Sequence, residues 1–117
     1  MHIFPVSYQP ILFVAAVTML LTGKVAIVTG GTRNIGAGIS KELVSRGASV
    51  AMIYQNKATS IAAEAYAKEL ESLGGGARAV AIQADLADSA SPVKIVEETL
   101  KGLKVDKIDI VGTFYHD

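Results

Sequence analysis

The chain has 117 residues, of which 50% are hydrophobic and 19% charged, which excludes a disordered tail and predicts one modest domain with a well-buried core. Eleven basic residues balance eleven acidic ones, so nothing in the charge calls for nucleic acid or an anionic membrane surface, and a small-molecule partner is expected. The absence of cysteine excludes a disulfide framework and a thiolate metal site and fits a reducing, cytoplasmic compartment, while His2 and His116 stand too far apart in sequence to suggest a histidine-based metal site.

Residues 1–20 form an apolar leader, because Ile11 to Leu21 is interrupted only by Thr18. That run is shorter than the about 20 residues a membrane-spanning helix needs, and no Lys or Arg precedes it as a signal peptide requires. It is read as a leader or an element packed on the domain, with membrane association or secretion as the alternative. Lys24 to Thr29 (KVAIVT) then has the continuous apolar character of a strand covered on both faces. After Gly30-Gly31, Ile35, Ile39, Leu43 and Val44 recur at helical spacing up to Gly47, and Ala48 to Tyr54 (ASVAMIY) predicts a second strand.

A long helix is expected from Thr59 or Ser60 to Leu73, with Glu64 placed four residues before Lys68 for side-chain support, and Gly74-Gly75-Gly76 ends it. Arg78 to Ala84 (RAVAIQA) predicts a third strand, followed by Asp85. Ser91-Pro92 supplies an expected cap and first-turn proline for a third helix, whose buried stripe is read as Val93, Val96, Leu100 and Leu103. Lys107 to Val111 (KIDIV) predicts a fourth strand. Four strands alternating with three helices favour an α/β, Rossmann-type, doubly wound parallel sheet.

The strongest chemical pattern is Thr29-Gly30-Gly31-Thr32-Arg33-Asn34-Ile35-Gly36, at the junction of the first strand and the first helix. Glycine there permits positive φ and lets backbone N–H groups approach a diphosphate, and the helix N-terminus favours negative charge. A P-loop is disfavoured, since Ala37-Gly38 follows Gly36 where a Lys-Ser or Lys-Thr pair would be needed. The plainer reading is a tight strand-to-helix turn without a ligand, and the position after a buried strand weighs against it.

With TGKVAIVTGG, the following NIG, GASVAMIY and ADL, the stretch Gly23 to Asp85 closely resembles the short-chain dehydrogenase/reductase family, and the likeness extends more loosely to Val111. The resemblance implies an NAD(P)-binding half-domain over residues 21–111 and a divergent tail over 112–117. It implies cofactor contacts from Gly30, Thr32, Arg33, Asn34, Ile35 and Gly36 in the turn. One departure is Asn34, where the family usually carries glycine; asparagine tolerates left-handed backbone better than other side chains do.

In NAD-preferring members an acidic residue at the end of the second strand holds the adenosine ribose. Here that place falls at Tyr54, followed by Gln55, Asn56 and Lys57. Without an acid to repel a 2′-phosphate, and with Arg33 and Lys57 to attract it, NADP(H) is favoured over NAD(H), with Tyr54, Asn56 and Lys57 at the site. The alternative is that Arg33 and Lys57 are solvated surface charges. Asp85-Leu86 resembles the family's adenine-contacting pair, the carboxylate accepting from the adenine amino group and the next N–H donating to the ring.

The family's chemistry uses a tyrosine lowered in pKa by a lysine four residues later, helped by a serine and an asparagine. Four residues after Tyr8, Tyr54 and Tyr66 stand Leu12, Ala58 and Leu70, and after Tyr115 the chain is too short, so no catalytic residue is assigned. The family's Asn-Asn-Ala-Gly is replaced by Gly112-Thr113-Phe114-Tyr115-His116-Asp117, where Tyr115, His116 and Asp117 read as a frayed tail rather than a proton relay. The expectation is a truncated, inactive cofactor-binding portion of a carbonyl or alcohol oxidoreductase. A non-catalytic nucleotide-binding fragment, self-associating through the exposed fourth strand, is the alternative.

Overall fold

The computed structural model describes residues 20–113 apart from Gly74. The leader up to residue 19 and the tail from Phe114 to Asp117 lie outside the described residues. A short turn leads into the domain: Lys24 N–H donates to the Leu21 carbonyl at 2.9 Å, and Leu21 N–H donates to that of Arg46 at 2.9 Å.

The Val/Ile-rich runs become strands β1 (Val25–Thr29) and β2 (Ser49–Tyr54), and Ala79–Gln83 forms β3. Val25, Ala26, Ile27 and Val28 are all buried, as a strand with both faces covered requires. With β4 (Ile110–Thr113) the sheet has the order β3-β2-β1-β4, every neighbouring pair parallel. The chain thus steps outward from β1 through β2 to β3 and returns to the other side of β1. The junction of β1 with β4 is therefore the switch point of the sheet, where open α/β folds form their ligand crevice.

Helices cover both faces. On one, α1 (Asn34–Ser45) and α2 (Ser60–Glu71) bring Val44, Ala67 and Leu70 onto Ala26, Val28, Val50 and Met52. On the other, α3 (Ser91–Leu103) sets Ile95 and Leu103 against Val25, Ile27, Ala51 and Ile53. Each fully buried Val, Leu or Ile contributes about 1.5–3 kcal/mol relative to exposure, so these two clusters are the main source of stability. A polar tie joins α1 to α2: the Tyr66 hydroxyl donates to the Ala37 carbonyl at 2.6 Å. Burial, and then the nearby Glu69 carboxylate, raise the Tyr66 pKa above the usual phenol value, so the hydroxyl stays a donor.

The doubly wound parallel sheet agrees with the sequence reading, and several local expectations need correction. In α1 the buried stripe is Gly36, Ser40 and Val44, while Ile35 is 71% exposed. The start of the helix lies so close to the turn before it that Gly36 and Ser40, not Ile35, face inward there, while the expected Val44 is buried and Leu43 packs against the core. In α3 the stripe is Ser91, Ile95, Thr99 and Leu103, a strict four-residue spacing, and Val93 and Val96 point outward. The expected Leu103 is buried and Leu100 is half-buried, but the apolar pattern is broader than the face the sheet covers, so the exposed Val93 and Val96 are counted into the stripe and Ile95 is missed.

Ser91 is the first residue of α3 rather than its cap, and its buried hydroxyl donates to the Asp85 carbonyl. Asp88 Oδ1 instead accepts from Ala90 N–H at 2.9 Å, organising the approach to the helix. A 3₁₀ turn over Lys57–Thr59 precedes α2, which ends at Glu71 rather than Leu73, and no ion pair joins Glu64 to Lys68. Exposed pairs of that kind gain little beyond the side-chain freedom they cost, so not every such spacing forms one, although Glu42 and Arg46 do pair at 2.8 Å.

Strand β4 begins at Ile110, three residues later than Lys107. The cause is Asp109, whose Oδ2 accepts from Val25 N–H at 2.9 Å while its own N–H donates to the Val25 carbonyl at 2.8 Å. Asp109 thereby brackets the first residue of β1, and regular pairing starts one residue on, with Ala26 beside Ile110. Among the described residues no helix is long and apolar enough to cross a membrane.

Candidate functional site

The glycine-rich turn runs from the end of β1 into α1. Gly30 takes φ +71°, and its N–H donates to the Ile53 carbonyl at 2.8 Å, which ties the turn to the end of β2. A Cβ on Gly36 would lie 1.9 Å from the Gly30 carbonyl oxygen, and one on Gly31 would lie 2.8 Å from Ser40 Oγ and 2.9 Å from the Val28 carbonyl oxygen. No side chain fits at either place. The buried Ser40 hydroxyl stands 2.9 Å from the Gly36 carbonyl and 3.1 Å from that of Gly31, so its single proton fastens helix or turn.

Between these contacts the chain passes through Arg33 in an extended conformation and Asn34 at φ +52°. The departure from glycine at position 34 is thus accommodated in the left-handed region, where asparagine is among the least costly side chains. Helix α1 opens with no side-chain cap and no acidic residue in its first turn. Its leading N–H groups and the positive end of its dipole are left for an anion rather than for the protein's own carboxylates. The exposed Arg33 and Ile35 flank that end, and Thr32 is half-buried.

A second group of predicted residues lies at the carboxyl ends of β2 and β3. There a cavity of about 560 Å³ brings together Asn56, Lys57 and Asp85 with Gln55, Gln83, Asp88, Ala90, Ser91 and Lys94. The glycine turn, Tyr54 and Leu86 are not among its walls. Tyr54 is buried, and its hydroxyl donates to Ser60 Oγ at 2.9 Å, while Ser60 Oγ donates to the Lys57 carbonyl at 2.8 Å. Asn56 Oδ1 accepts from Ala58 N–H at 2.9 Å, shaping the turn that carries Lys57. Neither Arg33 nor Lys57 pairs with a carboxylate among the described residues, so both cations are available to an anionic ligand.

Gln55, Gln83, Asp88, Ser91 and Lys94 were not singled out as site residues from the sequence. Gln55 follows β2 directly and Gln83 ends β3, with Tyr54 and Gln83 in register. In parallel strands all carboxyl ends share one edge of the sheet, and that rule alone would have placed these two glutamines at the crevice. Ser91 and Lys94 carry no comparable signal, because their position depends on where α3 begins. Among the described residues no three His, Cys, Asp or Glu side chains gather as a metal site would need.

The sequence pattern of the short chain dehydrogenase family matches residues 24–113. The chain belongs to that family. Hydroxynaphthalene reductase arp2 of Aspergillus fumigatus is 44% identical over 91 residues, covering 78% of this chain and 31% of the relative. Elsinochrome reductase 1 of Elsinoe fawcettii is 41% identical over 83 residues, covering 71% of this chain and 30% of the relative. Among solved structures, a blue fluorescent protein from a metagenomic library in complex with NADPH superposes with a TM-score of 0.69 at 43% identity, over 78% of this chain and 35% of that one. A short chain dehydrogenase from Burkholderia cenocepacia in complex with NADP gives a TM-score of 0.67 at 41% identity, again over 78% and 35%. The chain therefore spans about 30% of the length of these curated relatives. Its matched part holds the turn and the ends of β2 and β3, and Tyr54 and Tyr66, the tyrosines within it, have no lysine four residues on.

Proposed function

We propose that residues 24–113 are the NADP(H)-binding portion of a short-chain dehydrogenase/reductase-type oxidoreductase acting between carbonyl and alcohol, and that the 117-residue chain by itself does not turn over. The observation that carries the reading is the close approach of Gly36 to the Gly30 carbonyl, where no side chain fits, beside a start of α1 that no side chain caps. A diphosphate fits such a place because backbone N–H groups can reach it without steric obstruction. When bound, the nicotinamide group supplies or accepts the hydride.

The residues of this chain bind and orient. The turn from Gly30 to Gly36, with Thr32, Asn34 and Ile35, holds the diphosphate. Arg33 and Lys57 face the adenosine 2′-phosphate, and Tyr54 and Asn56 set the course of the chain that carries Lys57. Asp85 and Leu86 receive the adenine. NADP(H) is favoured over NAD(H) because the place where NAD-preferring members carry an acid falls at Tyr54, which does not repel a 2′-phosphate, because Arg33 in the turn and Lys57 after β2 are cations without an ion pair among the described residues, and because two similar solved structures hold NADPH or NADP. Titration of the purified chain with NADPH and NADH is the deciding experiment. Saturable binding with NADPH the tighter ligand is the expected result; a folded chain that binds neither overturns the reading.

A second reading rests on the outer edge of the sheet. β4 pairs only with β1 among the described strands, and Val111 on it is 68% exposed. An unpaired, apolar edge is a template for strand addition, so the same chain is expected to self-associate through β4. Sedimentation of wild type and Val111→Lys measures this: the substitution should shift the distribution toward monomer, and an unchanged distribution removes the reading. A cytoplasmic location is proposed because the cysteine-free composition fits a reducing compartment, and fractionation tests it against membrane association or secretion.

A further inference from the structure

Asp85 is held by its surroundings through one carboxylate oxygen. Its Oδ1 accepts from the Ala87 N–H at 2.9 Å and from Gln55 Nε2 at 3.2 Å, while Oδ2 accepts nothing among the described residues. Its backbone is fixed as well, since the Asp85 carbonyl accepts from the Ser91 hydroxyl and from the Asp88 N–H, the latter at 3.0 Å. Gln55 is anchored in turn: its carbonyl accepts from Gln83 Nε2 at 2.8 Å, and the Gln83 carbonyl accepts from Lys94 Nζ at 2.8 Å. A continuous chain of donors thus runs from α3 across the ends of β3 and β2 to a single oxygen of Asp85.

We propose that Gln55 is a positioning residue that sets the purine selectivity of the dinucleotide site, holding the Asp85 carboxylate so that Oδ2 faces the base. The proposal rests on the cofactor reading above. The carboxyl torsion of an aspartate is broad, and one N–H donor to Oδ1 leaves the plane of the group free to swing. A second donor from the other side of the crevice fixes that plane. An ionised carboxylate only accepts hydrogen bonds, so a fixed Oδ2 takes the amino group of adenine and meets the carbonyl oxygen of a 6-oxo purine lone pair against lone pair. Selectivity then comes from an unfavourable contact with the wrong base as much as from a favourable one with the right base.

The test uses the full chain and two ligands, NADPH and its hypoxanthine analogue, with dissociation constants measured by titration calorimetry. Wild type should bind NADPH at least roughly tenfold more tightly than the analogue, the range of one hydrogen bond to a charged group. Gln55→Met keeps the length of the side chain without its donor, and should reduce that ratio at least roughly threefold while the melting temperature stays within about two degrees of wild type. General damage to the site weakens both ligands alike and leaves the ratio unchanged. Asp85→Asn serves as the reference, because its amide can donate to the 6-oxo group and should bring the two affinities together. If Asp85→Asn lowers the ratio and Gln55→Met does not, Gln55 has no positioning role, and the cofactor reading stands. If wild type binds neither ligand, the cofactor reading falls and this inference with it.

Discussion

Gly36 and Gly30 meet across the first turn of α1 so closely that a Cβ on Gly36 would stand 1.9 Å from the Gly30 carbonyl oxygen. The neighbouring Gly38, on the same helix, has nothing within 4 Å of the equivalent position. One methyl group at the two sites should therefore act in opposite directions. Gly36→Ala is expected to destabilise by about 3 kcal/mol or more, since the obstructing atom is backbone, and to abolish dinucleotide binding. Gly38→Ala should stabilise by about 0.5–1 kcal/mol through helix propensity. Urea unfolding of both variants measures the contrast, and equal losses would show that the close approach is not what the turn requires.

Asn34 occupies the left-handed region at φ +52°. Replacement by glycine is expected to be nearly neutral for stability, within about 0.5 kcal/mol, because the gain in fit is offset by the greater freedom of the unfolded chain. Asn34→Ala should cost about 1 kcal/mol, as alanine has no polar side chain to ease that conformation. The order glycine, asparagine, alanine in thermal melts checks the assignment; an alanine variant as stable as wild type speaks against a left-handed residue 34.

Thr99 lies on the buried stripe of α3 with no exposed surface, and its Oγ1 has no hydrogen-bond partner among the described residues. Valine has the same shape without the hydroxyl. Thr99→Val should accordingly raise stability by about 1 kcal/mol, the cost of keeping an unsatisfied polar group inside. Chemical denaturation at neutral pH reads the change directly, and a loss of stability would show that the hydroxyl is satisfied in solution.

The core of the sheet was readable because Val25 to Val28, between Gly23 and Gly30, and Val50 to Ile53, shortly after Gly47, are continuous apolar runs, a pattern typical of a buried parallel strand. The turn was readable for a related reason: Gly30 and Gly31 sit between such a strand and a helix whose first turn carries Gly36. Helix faces were harder. Ile35 and Val93 carry the composition of core residues yet stay exposed, because the inward positions on α1 had to be small and α3 carries more apolar side chains than its one contact face can cover. The links from Gln55 and Lys94 to the site were hidden for another reason. Gln83 and Asp85 are about thirty residues from Gln55 in the chain, and nothing local says which polar side chains will meet across strand ends.

Acid should weaken the fold through Asp109. Its hydrogen bond from Lys107, then that from the Val25 N–H, hold its carboxyl below the usual carboxylate range, with further help from the charges of Lys107 and Lys24. The pKa is lower folded than unfolded, so the stabilisation is present above the unfolded value of about 3.9 and is lost as pH falls through the lower folded value. Asp109→Asn keeps an acceptor for Val25 and removes the charge. The variant should be less stable than wild type at pH 7, and the two should converge below pH 4, seen as parallel melts at a series of pH values. A gap that stays constant with pH would assign the effect of the substitution to packing rather than to the carboxylate.

Arg33 and Lys57 offer the sharpest separation of the two cofactors. Both are exposed, and neither is paired with a carboxylate among the described residues, so removing either charge disturbs no internal ion pair. If they face the 2′-phosphate, Arg33→Ala and Lys57→Ala should each weaken NADPH about tenfold, the scale of a charge-assisted hydrogen bond, and leave NADH within about twofold of wild type. The double variant should lose most of the preference for NADPH, and the salt dependence of NADPH binding should flatten with each charge removed, because screening acts on exposed pairs. Titrations at two ionic strengths give all of these quantities. If NADPH and NADH weaken equally, the two cations act on the shared diphosphate instead, and the preference for NADP(H) loses its physical basis.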